Sequence, residues 1–279
     1  MVGREAKKTY HAIPPAWRRR DAPDAGLPSR YNWCMRLLVS VRDADEARAA
    51  LMGGADIVDA KEPTLGPLSP VAPTTLRSIA AAVPLTMPLS VALGNAHPQE
   101  LADIVAAVEP LERRQALFFK AAMMSASPEE AVGGITVACR LLERRADCPV
   151  LIVARYVDEP SDADDLSRWM AASAAAGARG LLLDTSRKDG PGLFGSVGPQ
   201  ALAALRREAA RRGVWLAVAG SVTVAHMELL ARVRPHVLGV RGAVCDGGRT
   251  GRLSAERVLQ LRHALAGITR RTRPRALPV

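Results

Sequence analysis

The chain has 279 residues, 48% of them apolar, enough to bury one barrel-sized core or two smaller ones. Its net charge of +10 is uneven: residues 1–34 carry +4, residues 267–279 another +4, and residues 35–266 only +2. That distribution argues against a basic groove tracking a nucleic acid across the folded body, and the lack of an 18-residue apolar run excludes a membrane-spanning helix.

Residues 1–34 are rich in Pro, Arg and Asp and read as a disordered N-terminal extension, with Met35 a candidate natural start. The four cysteines (Cys34, Cys139, Cys148, Cys245) show neither CxxC nor zinc spacing, and no secretory signal opens the chain. Reduced thiols and a cytoplasmic location are therefore expected.

From Arg36 onward, short runs rich in Val, Ile and Leu read as buried parallel strands. They lie at 36–41, 55–61, 88–93, 116–122, 149–156, 179–186, 214–221 and 237–243. Segments with helical spacing follow them, clearest at 43–53, 98–108, 128–144, 163–176, 199–212 and 254–266. Ser127 and Ser254 stand where N-caps belong, and Gly177 and Gly213 where helices end. Eight such alternations predict an α/β fold, a single (β/α)8 TIM barrel over residues 35–266, with residues 267–279 a basic C-terminal tail. A doubly wound sheet is the alternative, disfavoured because no GxGxxG follows the first strand. "GNAHP" after the third strand and "GLFGS" (192–196) read as rim loops.

Lysine usage points to the site. Of 38 Lys+Arg residues only five are lysines: Lys7, Lys8, Lys61, Lys120 and Lys188. Arginine stays protonated and cannot serve as a nucleophile or general base, whereas a sheltered lysine can. Lys61 ends the second strand, two residues after Asp59, and Lys120 lies near the end of the fourth. Asp184 ends the sixth strand, Lys188 follows in its loop, and Arg241 ends the eighth. Function in such barrels collects at the carboxyl ends of the strands, so these groups are expected to face one another at the mouth. Ordinary rim ion pairs are the plain alternative. All three lysines of residues 35–266 fall at strand ends or in the loop just beyond, which favours chemistry. Gly220, Ser221, Gly242 and Ala243, after the last two strands, with Arg241, are candidate phosphate-binding groups. His97, His226 and His236 lack ligand spacing, so neither a metal nor a cofactor is expected.

The motifs "GGADIVDAKEP", "FFKAA", "LLLDTSRKDGPGLF", "AVAGSV" and "GVRGAVCDGGRTGRL" occur in that order. Together they resemble the (5-formylfuran-3-yl)methyl phosphate synthases of methanofuran-type cofactor synthesis, known from methanogens and from bacteria that oxidise one-carbon compounds. The resemblance implies a lyase that condenses two glyceraldehyde 3-phosphate molecules. It implies a Schiff base on Lys61, a proton acceptor at Lys120, and the acid and lysine of the sixth-strand motif at Asp184 and Lys188. Where the family has "DVKNP" this chain has "DAKEP", which spares Asp59 and Lys61.

The expected partner is thus a phosphorylated triose, with no membrane and no nucleic acid, and a homo-oligomer is compatible with the sequence. Two other readings stay open: a class I aldolase or isomerase on another sugar phosphate, and a non-catalytic barrel that binds RNA or a partner through its basic tails.

Overall fold

A computed structural model describes residues 35–111, 116–124, 126–159, 163–187 and 189–271. Eight parallel strands close into a barrel in sequence order. They are β1 (Arg36–Val41), β2 (Ile57–Ala60), β3 (Leu89–Ala96), β4 (Leu117–Met123), β5 (Val150–Tyr156), β6 (Gly180–Asp184), β7 (Trp215–Val218) and β8 (Val237–Val240), with β8 pairing back onto β1. Around them run α1 (Ala44–Met52), α2 (Pro73–Ala82), α3 (Leu101–Ala107), α4 (Pro128–Glu143), α5 (Ala163–Ala175), α6 (Gly192–Ser196), α7 (Pro199–Arg211), α8 (Met227–Val233) and α9 (Ala255–Arg271). A two-stranded antiparallel ribbon, β9 (Cys245–Asp246) with β10 (Arg252–Leu253), caps the mouth between β8 and α9.

The strands are apolar on both faces because both are covered. Outward residues such as Leu37, Val39, Val58 and Phe119 join the helices in one core, while Leu38, Ile57, Phe118, Ile152, Leu182 and Trp215 fill the barrel interior. Each such side chain contributes about 1.5–3 kcal/mol. At the amino-terminal end of the strands, Trp215 packs on Phe118 with ring centroids 5.4 Å apart. The guanidinium groups of Arg36 and Arg179 lie 4.8 and 5.3 Å from its ring, a cation–π arrangement.

Local signals set the helix starts. The Asp43 carboxylate accepts from Glu46 N at α1, Ser127 and Glu130 form a reciprocal capping box at α4, and prolines open α2, α4 and α7. Three expectations need correction. First, β3 runs on to Ala96 through an irregularity between Ala92 and Asn95, so most of "GNAHP" is strand. Second, "GLFGS" forms the short helix α6, not an irregular loop. Third, α9 continues to Arg271, past the expected boundary at 266. The N-terminal extension and the end of the basic tail lie outside the described residues.

Candidate active site

Side-chain alternation places the inward residues in layers. On β2 the inward set is Ile57, Asp59 and then Lys61 just past the strand; on β4 it is Phe118 and Lys120; on β6 it is Leu182 and Asp184. The register sets Ser40 and Ser90 beside Asp59, and Ala92 beside Lys120, so the charged groups of β2 and β4 share the inward-facing interior. Above it opens a cavity of about 310 Å³. Of the expected site residues, Lys61, Lys120, Asp184, Arg241, Gly220, Ser221, Gly242 and Ala243 all line that cavity. The two lysines are 7% and 4% exposed.

Asp59 differs from its expected place at the mouth. Its carboxylate is fully buried below the lysines, where it accepts from Ser40 Oγ at 2.8 Å and lies 2.7 Å from Lys120 Nζ. An isolated carboxylate at this depth would cost several kcal/mol, so the pair exists because both charges are there. Asp59 therefore sets the position and charge balance of Lys120 from beneath and does not line the cavity. Asp184 turns one oxygen onto the N–H of Thr185, 2.8 Å away. Lys188 lies outside the described residues.

The loop after β6 is tied down by a residue not singled out in the sequence. Asp158, just after β5, accepts from Ser186 N, Arg187 N and Ser186 Oγ at 2.7, 2.7 and 3.2 Å. Burial raises the affinity of this carboxylate for a proton, but the hydrogen bonds prevail and hold it below the usual range. Nearby, Tyr156 donates to Asn95 Oδ1 at 2.8 Å, and burial followed by the Asp184 charge pushes its phenol well above the ordinary value.

After β7, Gly220 adopts φ +103°, and a Cβ there would lie 2.9 Å from Thr185 Cγ2. Only glycine fits this approach of loops 6 and 7. Its carbonyl accepts from Leu193 N at 3.0 Å, seating α6 against the turn, and Ser221 follows at φ +56°. This strained pair forms the part of the rim lined by Ala219, Gly220 and Ser221, where an anion could meet the backbone.

Arg241 has a different task from the one expected of it. Its Nε donates to Arg249 O at 3.0 Å. Nη1 serves Ser40 O at 3.0 Å and Glu46 Oε2 at 2.5 Å, while Nη2 serves Glu46 Oε1 at 3.0 Å and Gly251 O at 2.9 Å. All five guanidinium donors are spent on the protein, leaving none for a phosphate. Arg241 is a strap that binds β1, α1 and the capping ribbon together. Burial alone would raise the Glu46 carboxyl, but hydrogen bonds from Arg241 and Arg42, with their charges, hold it below its ordinary value.

Sequence reasoning missed both Glu46 and Arg249. Glu46 reads as a solvated first-turn acid, although its D-x-x-E spacing from Asp43 was a visible capping signal. Arg249 is one arginine among many, with no compositional flag. It lines the cavity and donates from Nη2 to Gly66 O at 2.6 Å, across from the loop after β2. Burial lowers its affinity for the proton, the Asp184 charge opposes that, and Arg241 adds to it.

The 4-HFC-P synthase family profile matches residues 37–262, from β1 into α9. The chain belongs to that family. It is 31% identical over 240 residues to (5-formylfuran-3-yl)methyl phosphate synthase of Methanothermobacter thermautotrophicus, covering 83% of this chain and 99% of that one. The corresponding enzyme of Methanocaldococcus jannaschii is 30% identical over 238 residues, covering 82% and 98%. Among solved structures, N-(5'-phosphoribosyl)anthranilate isomerase from Pyrococcus furiosus matches with a TM-score of 0.57 at 14% identity, over 84% of this chain and 99% of that one. That last likeness concerns the fold alone.

Membership in the 4-HFC-P synthase family makes this an enzyme, and the cavity at the carboxyl ends of the strands is where a barrel enzyme works. Among the described residues no group of three or more His, Cys, Asp or Glu side chains stands close enough to hold a metal ion, and no helix is long and apolar enough to cross a membrane.

Proposed function

We propose that this synthase-family enzyme condenses two molecules of glyceraldehyde 3-phosphate, through a Schiff base on Lys61, into (5-formylfuran-3-yl)methyl phosphate. Atoms balance with release of one phosphate and two waters. The observation that carries the reading is the meeting of Lys61, Lys120 and Asp184 in one sheltered cavity at the ends of strands 2, 4 and 6.

Lys61, unprotonated, attacks the carbonyl of one triose phosphate, and water leaves as the imine forms. The positively charged imine acidifies the carbon next to it. Lys120 passes one proton to Asp59, 2.7 Å away, and with the lone pair so freed takes the proton from that carbon. The carbanion equivalent then attacks the aldehyde of the second triose, forming the carbon–carbon bond. Ring closure and the eliminations that follow need acids and bases, roles that this reading gives to Asp184 and Lys188. Backbone N–H groups around Gly220, Ser221, Gly242 and Ala243 receive a phosphate.

The test is reduction with borohydride in the presence of glyceraldehyde 3-phosphate, with mass spectrometry to locate the adduct and ultraviolet absorption to follow the furan product. The adduct is expected on Lys61. Lys61→Arg keeps the charge and removes the nucleophile, so it is expected to abolish turnover while the thermal midpoint stays within a few degrees. An adduct without furan would indicate a general Schiff-base aldolase. Full activity in Lys61→Arg would refute the assignment.

A further inference from the structure

The Arg241 strap has a corollary on the opposite side of the capping ribbon. Between β9 and β10 the chain turns through Gly247 and Gly248, both in the left-handed region at φ +78° and +82°, and then reaches Arg249. The turn is tight: a Cβ on Gly251 would lie 1.7 Å from Asp246 O. Its backbone is gripped by two cations. Arg241 donates to the carbonyls of Arg249 and Gly251, and Arg42 donates to the carbonyl of Thr250 at 3.0 Å. Both cations are in turn held by Glu46.

With its main chain so fixed, Arg249 lines the cavity and carries its side chain across to the loop after β2. There one donor, Nη2, reaches Gly66 O, while Nε and Nη1 of this cavity-lining side chain have no hydrogen-bond partner among the described residues. A Cβ built on Gly242, on the same rim, would lie 3.6 Å from Arg249 N, so the two backbones are close neighbours. A half-buried guanidinium beside exposed backbone at the ends of strands 7 and 8 matches the chemistry of a phosphate monoester.

We propose that Arg249, held by the Glu46–Arg241–Arg42 cluster, is the side chain that grips the phosphate of the substrate, and that Arg241 is a positioning residue. The inference rests on the triose-phosphate reading above for the identity of the ligand, but its physical core is an anion site.

Two measurements separate the inference from that reading. In the first, reductive trapping on wild type and Arg249→Gln is compared with glyceraldehyde 3-phosphate and with glyceraldehyde, which lacks the phosphate. One lost charge-assisted contact should cut trapping of the phosphorylated triose about 10- to 100-fold at subsaturating concentration and leave glyceraldehyde unchanged. In the second, inorganic phosphate is titrated while the thermal midpoint is followed. Phosphate should raise the midpoint of wild type and of Arg77→Gln, a distant surface control, but not of Arg249→Gln. If wild type traps neither triose yet shows the Arg249-dependent phosphate shift, the condensation reading fails and the anion site stands. Equal trapping losses for both trioses, or a phosphate shift that survives in Arg249→Gln, would overturn the inference.

Discussion

Replacing Glu46 by alanine should do disproportionate damage for one exposed-looking helix residue. Its carboxylate is 3% exposed and accepts from Arg42 N at 2.8 Å, from the Arg42 side chain at 3.3 and 3.2 Å, and from both Nη groups of Arg241. Removing it leaves the Arg241 guanidinium, 4% exposed, without a counter-charge. Uncompensated burial of that kind costs about 3–5 kcal/mol. For a domain of this size each kcal/mol lowers the thermal midpoint by about 2–4 °C, so Glu46→Ala should melt roughly 6–20 °C earlier. Glu46→Gln keeps the shape and one acceptor and should lie between the two. The pH dependence carries a sign. Because the folded carboxyl is held below its ordinary value, its stabilisation is fully present above the unfolded carboxylate range and is lost as pH falls through the folded value. The gap between wild type and Glu46→Ala in urea midpoint should therefore be wide at neutral pH and narrow in acid. A midpoint within about 2 °C of wild type at pH 7 would refute the reasoning.

Two further tests address the interior. Lys120→Met should leave the Asp59 carboxylate buried alone and Asp59→Asn the Lys120 ammonium, each costing about 3–5 kcal/mol, while the double variant should lose less than the sum by at least about 1.5 kcal/mol. Additive losses in urea unfolding would argue that the 2.7 Å pair is not coupled. His236, whose Nδ1 accepts from Leu216 N at 2.9 Å, is held neutral by burial and by Arg206 and Arg36, its pKa pushed down to about 3. An unfolded chain takes up that proton below pH ~6.5 and the native state does not, so stability falls on acidification by up to about 1.4 kcal/mol per pH unit. His236→Gln should show a shallower slope between pH 6 and pH 4; an unchanged slope would remove this residue from the account.

The alternation of buried runs with helical segments made the barrel legible, since a parallel strand covered on both faces has no need of polar alternation. The ends of elements were less so. Gly94 and Asn95 have turn chemistry, yet β4 supplies partners that carry β3 past them to Ala96. Likewise the five residues of α6 are too few for periodicity to register. Lys61 and Lys120 were legible because lysine is rare here and both stand at strand ends. Arg241 and Arg249 could not be told apart from sequence, because which guanidinium has donors to spare depends on Glu46, almost 200 residues away in the chain. The depth of Asp59 was hidden for a similar reason: two-residue spacing gives the face of a strand, not the height at which a neighbour covers it.

The tryptophan between two guanidinium groups at the amino-terminal end of the strands has a consequence for traffic. Trp215 is 5% exposed and lines the cavity from below, so the chamber is floored at the amino-terminal ends of the strands. A molecule that enters from the rim and settles on this floor lies beneath one that follows it. In the two-triose condensation proposed above, that floor would set an order of entry by stacking alone.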